Sequence, residues 1–539
     1  MTKPTLRQLL QRWTLLPGGI LLLALLAACG GGGGGGDPQP TPGGPTPVPT
    51  FDLNSRMSDT RSAEVGVDGD DAVLAWIAPG SNPGTLASSD SGQLVLLRAN
   101  GQSQVALDLP DGTTRVQPCG DRATSSDGRY FAFLAGNEVN PSLYVMDGQG
   151  TPNAVGTVSA LTCLGGGTFQ FSPDGSRFGY ISYPAQSSGD FDGGTLRVHT
   201  TSSREQAFSY DNVAAFDLFE SRAAFISFFL NNQNQATEAA VFVWSGDTPD
   251  EISTIYAGDN CRFTSAATAF STENTLVVMM GRRCSSGTSW ELHTIDIAAR
   301  QDTLALSGTA NGGYFNGSRS NNLHPAPDGS TVFYTIPNGV GQNIVNLRAT
   351  PLVNPVESAD VMTSAIMPRL GQSVYAMNVN AFPVVSPDGR WLAVVDSDNS
   401  SLNVFDLNQP DVPPINIPAG DSGDTISSMT FTQDSSQLLF VAGGNNRADN
   451  SLFALPLAAG SENRVIRGRY TQVIAAPDGQ TAAVSEWLSA EQGSSRDYLN
   501  VSLIGLANGT SAPLFRGADI IEGRVAEPRF VYLLAWRRG

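Results

Sequence analysis

The stretch FQFSPDGSRFGYIS, residues 169–182, is written again and again down the chain, and that repetition constrains the fold more than any other feature. TSSDGRYFAFLA (124–135), APDGSTVFYTI (326–336), VSPDGRWLAVVD (385–396), FTQDSSQLLFVA (431–442) and AAPDGQTAAVSE (475–486) share its plan. FESRAAFISFF (219–229) and FSTENTLVVMM (270–280) are weaker copies, and VDGDDAVLAW (67–76) is a candidate for the earliest. With Asp127, Asp174, Glu220, Glu273, Asp328, Asp388, Asp434 and Asp478 as anchors, the spacing is 44–60 residues. Periods of this size belong to solenoids, propellers and arrays.

The repeated residues have a local cause. Proline presets φ for a tight turn, aspartate bonds to nearby backbone amides, and glycine takes the φ > 0 position. The strong turns are Asp127-Gly128, Asp174-Gly175, Asp328-Gly329, Asp388-Gly389 and Asp478-Gly479. The flanking runs are short, rich in β-branched and aromatic residues, and often apolar on both faces, as strands buried on both sides are. A second strand follows in SLYVMD (142–147), TLRVHT (195–200), ELHTID (291–296), SLNVFD (401–406), SLFALP (451–456) and YLNVSL (498–503). A third apolar run closes most units. The expected class is therefore all-β, built from four-stranded units.

SPDGSRFGYIS followed by SLYVMD-type strands resembles the TolB-type, WD40-like propeller repeat of bacterial envelope proteins. The resemblance covers most of residues 65–539 and implies a single β-propeller domain over residues 51–539. About eight four-stranded blades are expected, with seven and nine as alternatives, and RFVYLLAW (529–536) pairing with strands around 72–109 to close the ring. In that register Cys261 and Cys284 meet at one rim, and Cys119 and Cys163 tie adjacent blades. A Cys₄ zinc site is the alternative, but the spacings contain no Cys-x-x-Cys element.

The beginning of the chain reads differently. Lys3, Arg7 and Arg12 precede the apolar run Ile20–Ala28, the plan of a signal peptide over residues 1–28. LAAC, Leu26 to Cys29, resembles the lipobox of bacterial lipoproteins, which implies lipidation of Cys29. Residues 29–50 then form a Gly- and Pro-rich tether. Its 21 residues after Cys29 span at most roughly 70 Å, at about 3.3 Å each. Gly30 follows the cysteine where inner-membrane lipoproteins carry aspartate, so the resemblance points to the outer membrane, facing the periplasm or the cell surface. The lipid would be the only membrane contact.

Charge narrows the partners. The whole chain carries a formal −19, and its cationic signal leaves the remainder more acidic still. Nucleic acid is excluded as a partner on this ground, since phosphate backbones require clustered cations. Lys3 is the only lysine, which excludes a Schiff-base lysine or a Walker-type phosphate loop elsewhere. Three histidines exist, His199, His293 and His324. The first two read as packed or rim residues. His324 lies four residues before Asp328 on an inner strand, where lyases of the resembling type hold a metal, but a lone histidine is not a metal site. No Gly-x-Ser-x-Gly elbow is present. Asp396, Asp398 and Ser400 have the alternation of a calcium loop without its glycine and terminal glutamate, and read as a solvated turn.

No cofactor, metal or catalytic residue is assigned. SGTANGGYFNGSRSNN (307–322) and SADVMTSAIMPRLGQSVYAMNVN (358–380) read as long loops. Tyr314 in the first, Met367, Arg369, Tyr375 and Met377 in the second, and His324 beside them are the candidate partner-binding residues. The expected function is a lipid-anchored, non-catalytic propeller that binds a protein or glycan in the envelope. A propeller lyase or hydrolase working in the central channel, and a calcium-binding or structural surface lipoprotein, are the alternatives.

Overall fold

A computed structural model describes residues 56–58, 65, 67–79, 92–108, 115–119, 123–137, 141–158, 163, 169–183, 193–233, 235–310, 323–337, 344–356, 360–366, 383–396, 401–418, 424–444, 450–489, 497–521, 524–526 and 529–537. Cys29 lies outside them, as do Tyr314, Met367, Arg369, Tyr375 and Met377. Asp52–Gly539 forms one compact unit.

Its described residues are almost all β, in antiparallel sheets that follow one another along the chain. The first sheet combines Ala72–Pro79, Gln93–Arg98 and Ser103–Asp108 with the C-terminal strand Arg529–Arg537. Ala72 to Pro79 pair with Arg537 back to Arg529, so the end of the chain completes the sheet begun at its start, as the sequence predicts. The second sheet runs from Arg115–Pro118 to Pro152–Thr157. The fourth covers Cys261–Thr272 to Gln301–Ala310, the fifth Leu323–Pro325 to Asp360–Ile366, and the sixth Val384–Val385 to Ile415–Pro418. The seventh covers Asp424–Phe431 to Asn463–Ile466 and the eighth Tyr470–Ala475 to Ser511–Phe515. Each of these has four strands, and a two-stranded ribbon, Asp519–Ile521 with Arg524–Ala526, follows the eighth.

The third sheet departs from this plan. It has seven strands, from Phe169–Phe171 to Asp250–Tyr256, and its central strand Gln206–Phe219 serves two four-stranded halves. Residues up to Val213 pair with Gly194–Thr200, and residues from Val213 on pair with Arg222–Leu230. The change of partner occurs at Asn212, whose φ of 59° lies in the left-handed region that asparagine tolerates best among residues with a side chain.

The repeated turns have the predicted chemistry. Oδ1 of Asp174 accepts from the Ser176 amide at 3.1 Å and from the Ser172 hydroxyl at 2.6 Å, and Gly175 sits at φ 68°. Ser435 replaces the glycine in the seventh sheet and still adopts φ 57°. At Gly329 the glycine is needed twice over, for φ 70° and because a Cβ would stand 2.5 Å from Thr272 of the preceding sheet.

Successive sheets pack face to face through apolar clusters. Phe228, Ile252 and Val241 of the third meet Phe263, Val278 and Met280 of the fourth. Comparable clusters join the fourth to the fifth, the fifth to the sixth, the sixth to the seventh and the seventh to the eighth. The eighth returns to the first, where Gln472 accepts from the Leu533 amide at 3.0 Å. Arg537 in turn donates to the Gly128 carbonyl of the second sheet at 2.9 Å, the second is tied to the third by Arg204–Asp147, and the Cys119–Cys163 disulfide joins the second to the connection that leads into the third.

First strands are also cross-linked by polar side chains. Gln170 donates to the Phe216 carbonyl, Asp217 accepts from the Phe270 amide at 2.7 Å, and Ser428 accepts from the Val473 amide. A first strand lacks a backbone partner on one edge, and a buried group left so would cost more than the bond itself contributes. Turns of non-adjacent sheets touch as well, since Gln433 donates to the Ser126 carbonyl.

Part of each predicted long loop is strand. Asp360–Ile366 is the outer strand of the fifth sheet, where Val361 and Met362 pack inward and Asp360 pairs with Arg348 at 2.6 Å. Residues 307–310 end the strand Gln301–Ala310. In both places the β-forming stretch lacks the Asp-Gly signal and reads as connection.

Candidate functional site

The fourth sheet and the second half of the third are longer than their neighbours. Strands of the fourth hold 12, 10, 10 and 10 residues, against 2, 5, 6 and 4 in the sixth. At the Asp-Gly end these sheets are level, because Arg222 reaches Glu273 at 3.6 Å and Gly329 abuts Thr272. The extra length therefore emerges at the opposite end. Thr275–Cys284 exceeds Thr331–Pro337 by three residues, or about 10 Å at about 3.3 Å per residue.

Cys261 and Cys284 face each other at the tip and form a disulfide, with Cα atoms 4.0 Å apart. Arg262 and Arg283 are opposed in the next row, and Phe263 and Arg282 in the one after. Phe263 is buried and stacks parallel on Phe228 of the third sheet at 5.6 Å, with the Arg282 guanidinium over its ring.

Outward from that stack the seam between the two sheets becomes polar. Arg282 pairs with Glu291, and Glu291 lies 3.2 Å from Nε2 of His293. Nδ1 of His293 is 2.8 Å from Asp302, whose other oxygen accepts from the Ser253 hydroxyl at 2.6 Å. Burial works against the imidazolium, but the bonds to Asp302 and Glu291 outweigh it and raise the His293 pKa to about 9. Burial likewise opposes the Asp302 carboxylate, yet His293 and Ser253 hold it below its ordinary range. At neutral pH His293 is a cation clamped between carboxylates, so both its nitrogens donate. Ser253 donates to the Asp302 carboxylate, a weak base made weaker still by its bond to His293, which is a poor acceptor for a serine proton. The cluster is an electrostatic clamp between sheets.

The same tip carries exposed apolar surface. Phe229, Leu230 and Tyr256 are three of the eight exposed large apolar side chains among the described residues, with Tyr256 63% accessible. Phe229 pairs with Glu238 and Glu238 with Tyr256, so Phe229, Glu238 and Tyr256 share one cross-strand row on one face of the sheet.

The candidates read from the sequence fall elsewhere. His324 is buried on Leu323–Pro325, opposite Phe333. No group of three or more His, Cys, Asp or Glu side chains among the described residues is arranged for a metal ion. Asp396 accepts from the backbone amide and hydroxyl of Ser401, closing its own hairpin. His199 stacks on Phe178 at 4.9 Å and bonds the Arg204 carbonyl. Phe229 and Tyr256 were missed, although FFLNNQNQ shows apolar residues running straight into a polar hairpin loop. The His293 clamp left one trace, the alternation of Glu291 and His293 that places both on one strand face.

No family model matches the chain, and no curated protein matches it in sequence. Among solved structures it is similar to a eukaryotic initiation factor, with TM-score 0.43 and 11% identity over 82% of this chain and 97% of that one. An oligogalacturonate lyase in complex with manganese gives TM-score 0.32 and 11% identity over 85% and 89%. A prolyl endopeptidase gives TM-score 0.39 and 10% identity over 72% of this chain and 53% of its own. Likeness of this degree carries no argument about chemistry.

Proposed function

We propose that the chain is a lipid-anchored, non-catalytic β-propeller of the bacterial outer membrane that binds a macromolecular partner in the envelope. The propeller reading is supported by sheets that pack in succession and return from the eighth to the first. Dividing the third sheet at Val213 takes the count of units to nine, one more than the eight anchors suggest, with the first sheet as the unit behind Asp68. The anchor rests on LAAC and the tether after it.

The observation that carries the binding reading is the exposed pair Phe229 and Tyr256, on one face of the extended strands. Apolar side chains gathered at one place on a soluble surface mark interaction sites, whereas scattered ones do not. A photo-crosslinking residue placed at position 256 in intact envelopes tests it, with position 353 as control. Val353 is 75% exposed but lies beyond the opposite end of its strand. One discrete adduct from position 256 and none from 353 is expected. No adduct from 256, or the same adducts from both, overturns the reading.

A further inference from the structure

The chemistry of that surface specifies its partner further, on the strength of the binding reading above. Phe229, Glu238 and Tyr256 occupy one row across three adjacent strands. Directly opposed residues in such a row stand about 4.5–5.5 Å apart at Cβ, so the Glu238 carboxylate is flanked by an aromatic ring on each side. Glu238 has no ion-pair partner among the described residues. On the same face, nearer the Asp-Gly end, Glu251 accepts from the Thr254 hydroxyl at 2.5 Å.

We infer that this row receives cationic side chains from a basic segment of a protein partner. A guanidinium lying on the Tyr256 or Phe229 ring gains from the ring quadrupole, and the adjacent carboxylate supplies a charge-assisted hydrogen bond to the same group. The acidic balance of the whole chain, a formal −19, draws such a segment in from a distance. The rings then select by contact what the net charge selects only by sign.

The test titrates a labelled hexa-arginine peptide against the full chain at fixed salt, with a neutral hexasaccharide as the competing ligand class. Tyr256→Ala removes no charge, and at 63% exposure the side chain is not part of the core. It is expected to weaken peptide binding about fivefold, the equivalent of about 1 kcal/mol for an exposed cation–π contact. Glu238→Gln is expected to weaken it by at least as much, and Val353→Ala to leave it unchanged. Equal binding by the native chain and Tyr256→Ala would reduce the attraction to net charge and overturn the inference. Saccharide binding that depends on Tyr256, without peptide binding, would overturn it in favour of a glycan. If crosslinks still form at position 256 while hexa-arginine fails, the binding reading stands and only the basic partner falls.

Discussion

Burial alone would strip His293 of its proton, and two carboxylates reverse that balance. A histidine whose pKa rises on folding stabilises the fold fully below its unfolded pKa of about 6.5, and loses that contribution as pH rises through its folded value. With the folded value at about 9, the contribution is at most about 3 kcal/mol and fades across the alkaline range. Asp302 acts in the opposite sense, because its lowered pKa contributes stability that is lost as pH falls. Thermal melts of the native chain and His293→Gln should therefore differ most near pH 6 and converge by pH 10. A difference that does not change with pH would mean that His293 acts by packing alone.

At the scale of strands, the two kinds of sheet edge are handled differently. Eight of the nine outer-strand pairings contain a register shift, and the ninth ends in a four-residue strand closed by Pro418. Bulges and proline both discourage edge-to-edge pairing with another chain. The inner edge of Ala72–Pro79 is covered instead by Arg529–Arg537, in a pairing that also shifts register between Leu74 and Ala75. Deleting residues 529–539 should lower the melting temperature and promote aggregation through that uncovered edge. A synthetic peptide of residues 529–537 should restore the melting temperature and the monomer, as read by light scattering. Truncation without effect would mean that the closing strand is dispensable.

For the whole molecule, the disulfides are cross-ties whose effect scales with the chain they enclose. Cys119–Cys163 spans 44 residues and Cys261–Cys284 spans 23, worth roughly 4 and 3 kcal/mol if chain entropy dominates. Reduction should lower the melting temperature, and a Cys119→Ser, Cys163→Ser chain should lose more than its Cys261, Cys284 counterpart; the reverse order would assign the effect to local geometry. What could be read in the sequence divides along the same line of distance. The Asp-Gly turns, the closing strand and both cysteine pairs follow from local chemistry and a regular period. The His293 clamp does not, because Ser253 and Asp302 come from separate sheets 49 residues apart in the chain. The strand Gln206–Phe219 was equally hidden, since it changes partner at Asn212 with no glycine or proline to announce a break. That strand has a consequence for ancestry. Elsewhere one unit ends and the next begins in a connection, where recombination can add or remove a whole repeat. Cutting out either half of the third sheet would break the chain inside a continuous strand, where the new end has no connection to absorb a misfit, so these two units are expected to be inherited as a pair. Chains descended from the same ancestor are expected to vary in length at any other junction before they vary at this one.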